Sequence, residues 1–369
     1  MNTSFSNPGA GIRIKLWIKE RRRIARERLS TRLAQYRGSV EPRGEPLDRP
    51  PESILVSRLN KRLGNTLFMT PLIRSLAAAF PGAAIDVPVL DAGHRCLLAG
   101  LPNVREVFHV SRKPAGLLSF VLRMRCRQYD LAIDPSLNAV SNRICMSLCR
   151  ARYKLGFASP EQWLHLTHAV ALPAHEAHQA RQAVYLLEQG IPGIGAKVFD
   201  KLEVRPSEEA KAAAGKVLAR ALDGRKDEPV IGFFSNATGN KRFPPEWWRS
   251  WTAAIRGATL IQIVPPGATE PLVAGTAWAS LAELDRLAAL MALFDLFVAA
   301  DSGPMHLAAA SGTPTIGLFR STDPGDYAPL GRDCLALTLD PEADPSSAER
   351  VAARTLEHLD TSIQKFEAT

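Results

Sequence analysis

The chain has 369 residues, 46% of them apolar, and a formal net charge of +9. That length accommodates two domains of ordinary size. No apolar run reaches the roughly 18 residues that a membrane-spanning helix needs, and Arg13 and Lys15 break the only early stretch that could resemble a secretory leader. Residues 1–50 hold 12 Lys/Arg against 5 Asp/Glu, so +7 of the charge belongs to them. The remainder is nearly balanced, which argues against a nucleic-acid-binding face on the folded body. The five cysteines (Cys96, Cys126, Cys145, Cys149, Cys334) are odd in number and scattered. Cys145 and Cys149 fit one helix face, but no second ligand pair follows them, so reduced core thiols are expected and no metal site.

In chain order, residues 11–37 read as a basic helix, with Ile14, Ile18, Ala25, Leu29, Leu33 and Tyr36 on one side. A linker rich in Pro, Gly and charge runs from Arg37 to Pro51. Ile54-Leu55-Val56 then reads as a strand, Leu67 to Phe80 as a helix stopped by Pro81-Gly82, and Ile85–Val89, Val104–Val110 and Leu131–Ile133 as further strands. After a charged stretch, Arg205 to Asp227, the alternation restarts. Val230–Phe234, Leu260–Val264, Leu296–Ala300 and Thr315–Phe319 are strands, and Ser280-x-x-Glu283 is a capping box opening a helix to about Leu293. Continuous apolar strands bounded by helices predict parallel sheets covered on both faces. Two such series predict an α/β protein of two Rossmann-like domains, covering residues 53–204 and 229–345. The basic helix and linker precede them as residues 1–52. A last helix within residues 346–369 packs back across the domains.

Three segments can carry chemistry. The first is Asp301-Ser302-Gly303-Pro304-Met305-His306, which follows a strand and opens a helix. Backbone N–H groups at Ser302 and Gly303 favour an anion there, and His306 can donate to it. The bland alternative is Asp301 as an N-cap and His306 as a half-exposed helix residue. The second segment is Phe233 to Trp247, a strand end, a loop and a helix start near Pro245, in which Lys241, Asn236 and Thr238 suit a diphosphate. A solvated loop with a surface lysine is its alternative, and Trp247, Trp248 and Trp251 read as helix packing. The third is the strand, basic loop and helix from Ile54 to Leu76, where a lone Gly64 stands in place of any G-x-G-x-x-G or P-loop.

Taken in order, these segments resemble glycosyltransferase family 9, the heptosyltransferases. Gly64 to Leu72 is similar in spacing to the family's Gly-Asp-x-(hydrophobic)-x-x-x-Pro-(hydrophobic) stretch. Tyr129–Asp134, Lys154-Leu155-Gly156-Phe157, Asp301–His306, Gly312-Thr313-Pro314-Thr315 and Thr322-Asp323-Pro324 also match, so the likeness spans roughly residues 53–335. It implies a GT-B fold with acceptor in the N-terminal domain, donor in the C-terminal domain and chemistry in the cleft between. It further implies inverting, metal-independent transfer from a nucleotide-diphosphate sugar, expected to be ADP-heptose, to a lipopolysaccharide core or similar glycolipid or oligosaccharide. No cofactor beyond the donor substrate is expected. Lys241, Asn236 and Thr238 would bind donor phosphate, with Ser302, Gly303 and His306 completing the cradle. Asp301 would contact sugar hydroxyls and Glu270 the nucleoside. The enzyme would be cytoplasmic, with residues 11–37 resting on an anionic inner-membrane surface.

One departure stands out. Asn65 occupies the place of the family's aspartate base, and an amide cannot accept a proton from a hydroxyl at neutral pH. Asp134 and Asp91, both near strand ends, are the candidate replacements. A catalytically impaired GT-B binding or regulatory protein is the rival reading, and a sugar-nucleotide epimerase a further one.

Overall fold

Short Val/Ile/Leu-rich runs pair here into two sheets of six strands each. The computed structural model describes residues 46–367 apart from 112, 138, 159–165, 177, 193, 195–198, 225–227, 341–343 and 345. The helix expected over residues 11–37 lies outside them. The N-terminal sheet holds β1 (Ser53–Val56), β2 (Ala84–Val89), β3 (Val104–His109), β4 (Gln128–Asp134), β5 (Arg150–Phe157) and β6 (His168–Val170) in the order β3-β2-β1-β4-β5-β6. The C-terminal sheet holds β7 (Val230–Phe234), β8 (Thr259–Ile263), β9 (Ala277–Ala279), β10 (Leu296–Ala300), β11 (Thr315–Phe319) and β12 (Leu335–Thr338) in the order β9-β8-β7-β10-β11-β12. All these pairings are parallel. Each sheet therefore places its first strand beside its fourth, Ile54 opposite Leu131 and Phe233 opposite Val298. The winding direction reverses there, which opens a crevice at the carboxyl ends of those two strands.

The helix expected from Leu67 to Phe80 is two helices, α1 (Leu63–Leu67) and α2 (Thr70–Ala79). Pro71 explains the break: its ring is tolerated only in a first turn, so a new helix starts there. Then come α3 (Arg95–Ala99), α4 (Pro114–Cys126), α5 (Val140–Leu148), α6 (Gln179–Gly190), α7 (Glu208–Leu222) and α8 (Pro245–Ala254). The chain continues through α9 (Leu284–Met291), α10 (Gly303–Ala310), α11 (Pro324–Tyr327) and α12 (Ser347–Glu367). The capping box at Ser280 does not form. The Ser280 hydroxyl donates to the Pro265 carbonyl (3.2 Å), and α9 opens after Glu283 instead.

Trp247, Trp248 and Trp251 are buried under 5% exposed on α8, against Phe233, Phe243 and α12. The Trp247 indole donates to Ser347 (2.9 Å) and Trp251 to Thr355 (3.4 Å), so α12 is tied to the C-terminal domain. Cys145 and Cys149 are buried core thiols, both pushed up to about 12 by burial; Cys126 is exposed.

The crossover between domains is stitched to both. Leu202 and Val204 donate backbone bonds to Leu330 and Ala310 (3.0 and 2.9 Å), while Glu203 N–H reaches Thr70 (3.1 Å) and its carboxylate pairs with Arg74 (2.6 Å). Beside it Leu67, Phe68 and Leu97 of the first domain share one buried apolar cluster with Met305, Leu307 and Phe319 of the second. The floor of the cleft is therefore apolar.

Candidate active site

The two switch points hold the chemistry. In the C-terminal domain, β7 ends at Phe234 and its loop runs to a 3-10 turn, Gly239–Lys241, entered through Gly239 at φ +61°. That left-handed backbone favours glycine. The loop delivers Lys241 to the end of β10, where its ammonium pairs with the Asp301 carboxylate. Thr322 donates to the same carboxylate oxygen (2.7 Å). Asp301 is only 5% exposed, and a charge that buried stands only when so partnered.

Asp301 is followed by Ser302, the N-cap of α10, whose side chain makes no capping bond. Ser302 Oγ and His306 Nδ1 are both buried without a hydrogen-bond partner. Orphans of this kind are costly, and a ligand oxygen would satisfy them. The helix N-terminus adds free N–H groups and a positive dipole end. Burial pushes His306 down to about 3, so the ring is neutral and offers a single N–H rather than a charge. Its Nε2 lies 4.0 Å from Asp301, beyond hydrogen-bond reach.

In the N-terminal domain, the residue two past β1 is Arg58, 6% exposed. Its Nη2 donates to Gln179 Oε1 (3.0 Å) and to Asn65 Oδ1 (3.3 Å), and the guanidinium lies 5.7 Å from the Phe68 ring centre. Burial pulls it down to about 10, still a cation at neutral pH. The neighbouring strand β4 ends in Asp134, 4% exposed. Asp134 Oδ1 accepts from Ser136 N–H (3.0 Å) and Ser136 Oγ (2.5 Å), and Asn142 fixes that serine by donating to its hydroxyl (2.8 Å). Burial nonetheless pushes Asp134 up to about 6, against the Ser136 bonds and the charges of Arg58 and Arg143.

The two switch points face each other across a glycine contact. A Cβ at Gly64 would lie 2.8 Å from the His306 ring, and one at Gly303 would lie 2.9 Å from Leu63 Cβ. Each glycine thus permits a close approach of α1 to α10. Phe68 meets His306 edge-on (centroids 4.7 Å apart) and stacks at 6.3 Å on Tyr327. Tyr327 in turn lies 5.5 Å from the Lys241 ammonium. His178 closes the seam: its Nδ1 accepts from Ala180 N–H (3.2 Å), which leaves Nε2 to donate to the Ala328 carbonyl (2.9 Å).

Asn65, Lys241, Asp301, Ser302, Gly303 and His306 therefore converge, and Asp134 joins them through the charge of Arg58, which bonds Asn65. Asn236 is half-buried and Thr238 exposed in the loop leading to Lys241. Glu270 stands exposed on the loop after β8. Asp91 is exposed, and its carboxylate is occupied capping the turn Ala92–His94 through Gly93 N–H (2.9 Å). Sequence reasoning passed over Arg58, Phe68, His178 and Tyr327. Of these, Arg58 had a legible signal, since it follows the first strand at the edge where ligands bind.

Comparison with known proteins agrees with this architecture. The profile of glycosyltransferase family 9 (heptosyltransferase) matches residues 117–355. Lipopolysaccharide heptosyltransferase 3 of Escherichia coli (strain K12) is 26% identical over 290 residues, covering 70% of this chain and 80% of that one. A family 9 glycosyltransferase of Veillonella parvula DSM 2008 superposes with a TM-score of 0.71 at 20% identity, over 87% of this chain and 99% of its own. The E. coli heptosyltransferase WaaC solved with ADP gives 0.65 at 20% identity, over 83% and 99%. This chain belongs to glycosyltransferase family 9, the heptosyltransferases, and is a glycosyltransferase of GT-B architecture.

Proposed function

We propose that the protein moves a heptosyl group from ADP-heptose to the core of a lipopolysaccharide or a similar lipid-linked glycan, with inversion and without a divalent metal. The observation that carries this reading is the pair of unpartnered buried atoms, Ser302 Oγ and His306 Nδ1, at the N-terminus of α10 beside Lys241. Together they make a cradle for a diphosphate. The ADP in the WaaC structure supports the choice of nucleotide. On donor binding Lys241 turns from Asp301 to the phosphates, and Asp301 becomes free to accept hydrogen bonds from sugar hydroxyls.

The acceptor hydroxyl then attacks the anomeric carbon from the side of the N-terminal domain. A new C–O bond forms, the bond to phosphate breaks, and ADP leaves into the α10 cradle, which stabilises its growing charge. The hydroxyl proton passes to Asp134. A carboxylate with an affinity near pH 6 is better matched to that task than an ordinary aspartate. Asn65, held by Arg58, orients the hydroxyl.

A binding and turnover screen over ADP-, UDP- and GDP-sugars tests the reading. ADP-heptose should bind most tightly, and its transfer should survive EDTA. Loss of activity on chelation would remove metal independence, and release of an epimerised sugar would favour an epimerase. Asn65 motivates the second reading, a donor-binding protein without turnover, which binding of ADP-heptose without product would favour.

A further inference from the structure

Of the six large apolar side chains that stand exposed among the described residues, three lie on α4: Leu117, Leu118 and Leu122, at 46%, 61% and 54% exposure. They are not scattered. Pro114, Leu117, Leu118, Val121 and Leu122 follow the i, i+3, i+4, i+7, i+8 spacing that makes one helical stripe. The core-facing side of the same helix is filled separately, by buried Phe120 and Met124. α4 is thus apolar on two sides, and only one of them is covered.

The surroundings of the open stripe are cationic. Residues 113–129 contain Lys113, Arg123, Arg125 and Arg127 and no Asp or Glu. Arg123 and Arg127 are turned to Glu106. Lys113 and Arg125 stand exposed at the two ends of the helix, and exposed Arg150 adjoins Arg125 through its carbonyl (3.5 Å). Two further features place this face. α4 starts just past the carboxyl end of β3, on the sheet edge that carries Arg58 and Asp134. The described chain begins beside the start of β5, on this same domain, where Asp48 pairs with Arg152.

We propose that α4 is a membrane-docking helix that seats the acceptor domain on an anionic bilayer, Leu117, Leu118 and Leu122 entering the headgroup boundary and Lys113, Arg125 and Arg150 meeting lipid phosphates. The choice of a lipid surface rests on the lipid-linked acceptor proposed above. It brings the cleft edge of the N-terminal domain to the plane in which such an acceptor is held. Charge argues against a second copy on this face, because two such stripes would bring like charges together.

Vesicle flotation of the full chain tests this, using phosphatidylglycerol/phosphatidylethanolamine vesicles against phosphatidylcholine vesicles. The wild type should float with the anionic vesicles. The double variant Leu118→Asp/Leu122→Asp should partition about 10-fold less or weaker, with unchanged affinity for ADP by calorimetry, which shows an intact fold. Lys113→Glu/Arg125→Glu should weaken the same binding most at low salt. Equal flotation of both double variants and the wild type overturns the proposal, as does a wild type that ignores vesicles and forms a dimer that Leu118→Asp/Leu122→Asp dissociates. Vesicle binding through α4 by a chain that shows no use of ADP-heptose would instead overturn the proposed donor and leave the docking helix standing.

Discussion

The two domains share one strand order but not one chemistry. At the switch point of the C-terminal sheet stand a lysine–aspartate pair and a helix N-terminus with two unsatisfied polar atoms. At the corresponding place in the N-terminal sheet stand a buried arginine and an aspartate held near a pKa of about 6. The difference teaches that the doubly wound topology fixes where a ligand can lie, while the few residues after each strand decide what is done to it. In the proposed reaction one side holds an anion and the other orients and deprotonates a hydroxyl. Gly64 and Gly303 let the two sides touch.

That division of labour can be broken one residue at a time. The largest effect is expected from Asp134→Asn, which removes the proton acceptor and preserves shape. Transfer should fall by about 10²–10⁴-fold, while calorimetry records an unchanged affinity for ADP-heptose. Next is Lys241→Ala, which should cost roughly 10- to 150-fold in donor affinity, the value of a charge-assisted phosphate contact. Circular dichroism should show the fold retained, and equal affinities would take Lys241 out of the site. Gly64→Ala pushes a methyl into the space 2.8 Å from His306. We expect a loss of about 10-fold in kcat/KM, because the two switch points are forced apart. The smallest effect is expected from Asn65→Asp, which should leave the rate of transfer nearly unchanged if Asp134 already takes the proton. The assignment reverses if Asp134→Asn is silent and Asn65→Asp accelerates transfer.

How much of this was legible in the sequence differs between the two regions for a physical reason. The C-terminal side comes from two short segments: Asp301 to His306 is one run, Lys241 lies in one loop, and both announce themselves after apolar strands. The N-terminal side is assembled from three distant stretches, with Arg58 reaching Gln179 and nearby Asn65 while Asp134 stands on another strand. No local pattern encodes that meeting. The raised affinity of Asp134 for its proton comes from burial by the tertiary fold, which spacing cannot reveal. In the same way most central strands showed themselves as apolar runs, but internal β5 opens on the charged run Arg150-Ala151-Arg152, and β6, β9 and β12 are only three or four residues long and sit at sheet edges, where half their surface is not core. The capping box failed because a distant carbonyl, that of Pro265, competes for the Ser280 hydroxyl.

The claim that the N-terminal switch point supplies the base is tested most directly by the pH dependence of kcat/KM for heptosyl transfer, measured from about pH 5 to 8. Asp134 must be ionised to accept a proton, so activity should be full above its pKa of about 6 and lost as the pH falls through that value. The decline should approach about tenfold per unit and should be absent from the residual activity of Asp134→Asn. A profile that stays flat through pH 6, or one whose inflection persists unchanged in Asp134→Asn, would contradict the account.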